Sequence, residues 1–131
     1  MKNTIYIVSI IIGLYACEPE PYNAEIKYLI FNASNHNIEL TFFHMPESKD
    51  TIFFLSPDSI IEYNSAIKGT ADSAYLNFDN VRQIIYRWND GKYRNILDEN
   101  NYFGGKENNY LYQYVYEISD EDYENAIEIK E

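Results

Sequence analysis

Residues Glu25–His44 read EIKYLIFNASNHNIELTFFH. In the first eight, Ile26, Tyr28 and Ile30 fall on one side of a period of two, with Lys27, Leu29 and Phe31 on the other. From Asn37 to His44 the same period sets Ile38, Leu40 and Phe42 against Glu39, Thr41 and Phe43. Period two belongs to an extended chain, whose successive side chains point to opposite faces. Between the two runs, Asn32-Ala33-Ser34-Asn35 has the composition of a turn. The repeating unit is therefore strand, turn, strand.

The pattern continues downstream. Met45–Asp50 reads as a loop, Thr51–Leu55 is a short apolar run, and Ser56-Pro57-Asp58 turns it into Ser59–Tyr63. Lys68-Gly69-Thr70 sits in another loop. Ser73–Phe78 and Val81–Trp88 flank Asp79-Asn80, two residues that tolerate positive φ and suit a tight hairpin. Asn89-Asp90-Gly91 is a second hairpin signal, Arg94–Leu97 a short candidate strand, and Asn108–Ile118 the longest strand. About seven or eight short strands, with turn signals roughly every eight to twelve residues, predict an all-β fold. The expected form is an antiparallel β-sandwich, Ig-like or similar, with a small β-barrel as the alternative. At the C-terminal end Ser119 is placed to cap a short helical turn over Asp120–Glu128, whose first acids favour the positive end of its dipole.

Composition sets limits on function. A chain of 131 residues makes one domain, and 46% hydrophobic with 24% charged residues is a globular balance. Twenty-one acids against ten bases give a net charge of −11. Nucleic acid is excluded as a partner on that ground, since binding it depends on neutralising phosphates with Lys and Arg.

The N-terminus differs from the rest. After Lys2, Thr4–Ala16 is an almost unbroken apolar run, about 20 Å long as a helix against the ~30 Å of a bilayer core. A secretory signal fits it better than a spanning helix. The run ends at Leu14-Tyr15-Ala16-Cys17, which resembles a bacterial lipobox. That resemblance implies cleavage before Cys17 and acylation of its thiol and its new amine. Cys17 is the only cysteine, so no internal disulfide or thiolate metal site is expected. The division is then 1–16 signal peptide, 17–24 acylated cysteine and extended tether, and 25–131 folded domain. Cleavage leaves nine bases against 21 acids, a charge of −12, which keeps the domain off anionic headgroups. The acidic, proline-stiffened Glu18–Tyr22 resembles the surface-export signals of Bacteroidetes lipoproteins. Further pieces, in order, are Asp72-Ser73, Phe78-Asp79, Arg94-Asn95-Ile96-Leu97, Tyr102, a tyrosine-rich strand, Asp122-Tyr123 and Ala126. Together they resemble a group of small Bacteroidetes-type lipoproteins of uncharacterised role. The resemblance implies an outer-membrane anchor with the cell surface favoured over the periplasmic face, and no activity.

Candidate sites follow from residue type. Tyr110, Tyr112, Tyr114 and Tyr116 recur at spacing two, so one strand would point all four to one face. Facing out they form an aromatic platform for a glycan or a protein; facing in they are core. The opposite face carries Gln113 and Glu117, which favours the inward arrangement. Trp88 ends a strand beside a loop, where core or rim packing is the commoner outcome and an exposed ligand contact the alternative. Asp120, Asp122, Glu124, Glu128 and Glu131 match positions of a calcium-loop template, although Asn125 stands where that loop needs glycine. A solvated capped helix explains the same acids. His36 and His44 have no catalytic or metal spacing, no serine lies in a GxSxG context, and Gly104-Gly105 alone makes no phosphate cradle. Asn32-Ala33-Ser34 matches the glycosylation acceptor pattern. No enzyme activity and no cofactor are expected. The expected function is a lipid-anchored binding or structural module, the alternative being a periplasm-facing accessory subunit of an outer-membrane assembly.

Overall fold

The computed structural model describes residues 25–44, 49–64 and 71–130. The expected signal peptide, Cys17 and tether, Glu131, and much of the two expected loops at Met45–Asp50 and Lys68–Thr70 lie outside the described residues. Among the described residues there are nine strands: β1 Glu25–Asn32, β2 Ile38–His44, β3 Thr51–Leu55, β4 Ile60–Asn64, β5 Ala71–Phe78, β6 Arg82–Arg87, β7 Phe103–Asn108, β8 Leu111–Ile118 and β9 Ile127–Glu128. A 3-10 turn spans Glu99–Asn101 and the helix α1 spans Asp120–Asn125.

The strands form two open sheets, β4-β1-β8-β7 and β3-β2-β5-β6-β9. The fold is an all-β sandwich, and neither sheet closes on itself, which sets the barrel alternative aside. One pairing departs from the antiparallel expectation: β1 and β8 run parallel over eight register pairs, Glu25↔Leu111 to Asn32↔Ile118. A hairpin cannot make a parallel pair. Here the first strand meets the eighth only because the chain visits the other sheet in between.

Local chemistry explains most of the elements. At the β5–β6 connection Asp79 and Asn80 both take positive φ, 52° and 60°, and the Val81 N–H donates to the Phe78 carbonyl at 2.9 Å. The turn is one residue longer than expected, since Phe78 pairs with Arg82. Asn89-Asp90-Gly91 does not return the chain into a hairpin. It ends β6, and the expected strand at Arg94–Leu97 is a run of turns. That segment is tied down by side chains instead. Asp90 accepts from the Arg87 N–H at 2.8 Å, Asn95 Nδ2 donates to the Arg87 carbonyl at 2.8 Å, and Lys92 Nζ donates to the Ile85 carbonyl. These groups cover the free edge of β6 past the two-residue β9, which protects it from stray pairing.

The long strand expected over Asn108–Ile118 is β8 from Leu111 onward, and Asn108 ends β7, a strand the sequence reading did not include. Asn109-Tyr110 is a turn, and β7 folds back on β8. Gly104 makes this possible: at φ +103° a Cβ there would sit 2.4 Å from the Gln113 carbonyl oxygen. The helix is also shorter than expected. Ser119 and Asp122 cap α1, the Ser119 N–H donating to Asp122 Oδ2 at 2.8 Å. Ala126 is already extended, because Ile127 and Glu128 leave the helix to pair with β6.

The core lies between the sheets. Ile38, Leu40 and Phe42 of β2 and Ala74, Leu76 and Phe78 of β5 face Tyr28 and Ile30 of β1 and Tyr116 and Ile118 of β8. Tyr63, Tyr28 and Tyr114 occupy one register row across β4, β1 and β8, with ring centroids 5.2 and 5.5 Å apart. The outer face of the same sheet carries a half-exposed apolar band: Phe31 beside Ile60, and Leu29 beside Val115 and Phe103.

Candidate functional site

Three of the four tyrosines share one face, the inner one, so no outward platform forms on β8. Tyr110 lies in the turn before β8 and is exposed, Tyr112 and Tyr114 are half-buried, and Tyr116 is wholly buried. Register decides this, since Tyr112, Tyr114 and Tyr116 pair with Ile26, Tyr28 and Ile30 on the inner face of β1. The buried hydroxyls are also committed. Tyr116 Oη donates to the Arg94 carbonyl at 2.6 Å, Tyr28 Oη to Glu99 Oε1 at 2.6 Å, and Tyr102 Oη to the Ile96 carbonyl at 2.7 Å. Tyr63 and Tyr102 share a 2.6 Å hydroxyl contact. Burial pushes the Tyr28, Tyr63 and Tyr116 phenols well above their ordinary value, and Tyr86 up to about 12. These tyrosines hold the 94–102 segment against one end of the sandwich.

The calcium-loop acids separate in the same way. Asp120 accepts from the Asn35 N–H at 2.9 Å and from its side-chain amide at 3.0 Å. Asp122 is buried against Ser119 and lies 3.5 Å from Arg94. Its burial outweighs both partners and pushes the carboxyl above the usual range. Glu124 lies 3.7 Å from Arg82, Glu128 is in β9, and Glu131 is outside the described residues. Among the described residues no group of three or more His, Cys, Asp or Glu is placed to hold a metal ion.

His36 and His44 do not converge either. His44 contacts Thr51 at 3.2 Å. His36 joins three elements, its ring stacked 3.6 Å from that of Tyr123 in α1 and its Nδ1 2.6 Å from Asp79 Oδ2 in the β5–β6 turn. That hydrogen bond holds the Asp79 carboxyl below the ordinary range, with the Asn37 N–H adding to it and burial opposing it. Asp79 therefore binds its proton less readily folded than unfolded. Its contribution to stability is present above the ordinary carboxylate value of ~3.9 and lost as pH falls through the lower folded value. Asp79→Asn should flatten the acid limb of the stability curve below about pH 4, read by urea unfolding across pH. Equal acid slopes for both proteins would remove this role.

Trp88 is where the structure leaves aromatic surface open. It is 65% exposed, directly after β6, and Tyr93, five residues on, is exposed too. The turn below is built tightly. Asn89 and Gly91 take positive φ, and Asp90 accepts from the N–H groups of Arg87 and Lys92 and from Asn95 Nδ2. Burial pushes the Asp90 carboxyl up, but these donors outweigh it and hold it low. Asn95 is fully used, its Oδ1 taking the Leu97 N–H at 2.9 Å. Asp98 Oδ1 caps the 3-10 turn through the Asn100 N–H at 2.9 Å.

A hollow of about 230 Å³ opens over this turn, lined by Trp88, Asn89, Gly91, Lys92, Asn95, Asp98 and Asn100. Among the described residues, the Trp88 indole N–H, the Asn89 and Asn100 side-chain amides and Asp98 Oδ2 make no hydrogen bond. A second hollow of about 400 Å³ lies along β6, lined in part by Tyr93, Ile85 and Ile127, and shares Lys92 with the first. Of the sequence candidates Trp88 lines the first hollow, and Asp122 lines the second with its carboxyl tied to Ser119. Asn89, Asp98 and Asn100 were not legible as site residues, because turn asparagines ordinarily bond their own backbone. Comparison with protein families, curated proteins and solved structures finds no match.

Proposed function

We propose that the chain is a lipid-anchored cell-envelope module that works by binding, not by catalysis, and that its contact region is the Trp88 end of the sandwich. The observation that carries the reading is an exposed indole rimmed by uncommitted polar groups on a tightly hydrogen-bonded turn. Two of the other candidates, Tyr116 and Asp122, are buried with their polar atoms already hydrogen-bonded. The lipobox at Leu14–Cys17 supports the anchor, and the acidic tether supports a surface position. Under this reading Cys17 carries the acyl chains and the partner is a glycan or a protein.

Two measurements test it. Protease treatment of intact cells should cut the wild-type domain while a periplasmic control survives, and Cys17→Ala should release the chain from the membrane. A photo-crosslinking residue at Tyr93 should give a reproducible adduct on those cells, with none from a control position at Glu124. Protection of the domain until the outer membrane is broken would overturn the surface position; no adduct would overturn the contact region. A second reading, an accessory subunit inside the envelope, is favoured by the apolar band Ile60, Phe31, Leu29, Val115 and Phe103, which would seat a neighbouring subunit. An adduct at Phe103 in protease-protected protein would select it.

A further inference from the structure

We infer that the hollow at Trp88 accepts one uncharged pyranose ring of a glycan; the inference rests on the binding reading above and narrows its ligand class. Three observations carry it. The first is the pairing of a flat apolar surface with a polar rim. A pyranose presents a face of C–H bonds and an edge of hydroxyls, so it stacks on an indole and turns its edge to hydrogen-bonding groups. Trp88 offers the face, and Asn89, Asn100 and Asp98 stand at the edge of the same hollow.

The second is the balance of donors and acceptors. The free groups are donors (the indole N–H and two amide NH₂ groups) and acceptors (two amide oxygens and Asp98 Oδ2) in one place. A hydroxyl is both donor and acceptor and can use either kind. A phosphate or carboxylate only accepts, and would face Asp98 in a chain of charge −11. The Lys92 ammonium also lines the hollow and spends one of its three donors on the Ile85 carbonyl, which is why a charged oligosaccharide belongs in the test. An ammonium ligand would leave the amide donors unpaired.

The third is size. About 230 Å³ is below the ~300–1,000 Å³ of pockets that enclose drug-sized ligands, and it suits a single ring with the rest of the chain in solvent. A peptide anchor needs a deeper apolar pocket. The turn is already fixed by Asp90 and Asn95, so little ordering entropy opposes binding.

Trp88 is the only tryptophan in the full chain, so its fluorescence reports this site alone. The experiment uses the full lipidated chain in a detergent without a sugar headgroup. It is titrated with maltohexaose, cellohexaose, mannohexaose and laminarihexaose, and with hexagalacturonate as the charged probe. The expected result is a saturable blue shift and a loss of acrylamide quenching with at least one neutral oligosaccharide, and neither with hexagalacturonate. Asn100→Ala and Asn89→Gly, the latter keeping the positive-φ backbone, should weaken that response with an unchanged thermal midpoint. An equal response to hexagalacturonate would overturn the uncharged class. No response to any neutral oligosaccharide, or one that survives both substitutions, would overturn the saccharide site. The binding reading is judged separately by the Tyr93 adduct on cells, which a protein partner would still give.

Discussion

Tyr116→Ala should cost about 3–5 kcal/mol, the range for removing a large aromatic side chain from a packed core. Tyr116 has no exposed surface, its ring lies 5.3 Å from that of Tyr102, and its hydroxyl donates to the Arg94 carbonyl. The truncation would open a cavity between the sheets and free the turn segment that Arg94 belongs to. Tyr116→Phe keeps the ring and removes only the hydroxyl, leaving the Arg94 carbonyl without that donor, at about 1–3 kcal/mol. Trp88→Ala, on exposed surface, should stay within about 0.5 kcal/mol. Urea unfolding of the three variants reads the ordering directly. A Tyr116→Ala protein as stable as wild type would sink the core assignment and revive the idea of a tyrosine platform on β8.

The second large effect is expected at Asn32, the last residue of β1, whose side chain has no exposed surface. Its Nδ2 donates to the carbonyls of His36 at 2.8 Å and Leu55 at 3.1 Å, and its Oδ1 accepts from the Ser34 N–H at 3.0 Å and the Ser34 hydroxyl at 2.7 Å. One amide therefore closes the β1–β2 turn and ties it to the end of β3. Asn32→Leu keeps roughly the volume but strands partners on both sides, at about 1–3 kcal/mol for each group that water cannot reach. Asn32→Asp keeps the acceptor and loses the donor, so it should fall between wild type and leucine at neutral pH. If leucine were tolerated at no cost, the network would be ornamental and the turn held by backbone bonds alone. The same burial answers the acceptor pattern at Asn32-Ala33-Ser34: a side chain enclosed by four hydrogen bonds in the folded domain presents no amide to a glycosyl donor.

How far the sequence could be read depended on the range of the interactions. Thr51–Leu55 came out as β3 with the same ends, because a short apolar run between turn residues is a local signal. Asp79-Asn80 was legible because positive φ is a property of those two residues, and Ser119 because a cap is settled within one helical turn. The misreadings share one cause. Asn108–Ile118 carries a single period of two, and nothing within it announces that Asn109-Tyr110 breaks the strand so that β7 can pair back through Gly104. Arg94–Leu97 resembles a strand by composition, yet its backbone is met by the side chains of Asn95, Asn101, Tyr102 and Tyr116 and not by a neighbouring strand.

By itself the sequence determined the all-β class, most strand positions, the tight turn after β5 and the capped start of α1, because period, turn chemistry and capping act over a few residues. Only the tertiary structure decided which strands are neighbours, and with that the parallel β1–β8 pair, the inward turn of Tyr114 and Tyr116 and the outward turn of Trp88. Those outcomes depend on pairings between residues some 85 positions apart, such as Tyr28 with Tyr114, and a period of two is the same whichever sheet a strand joins.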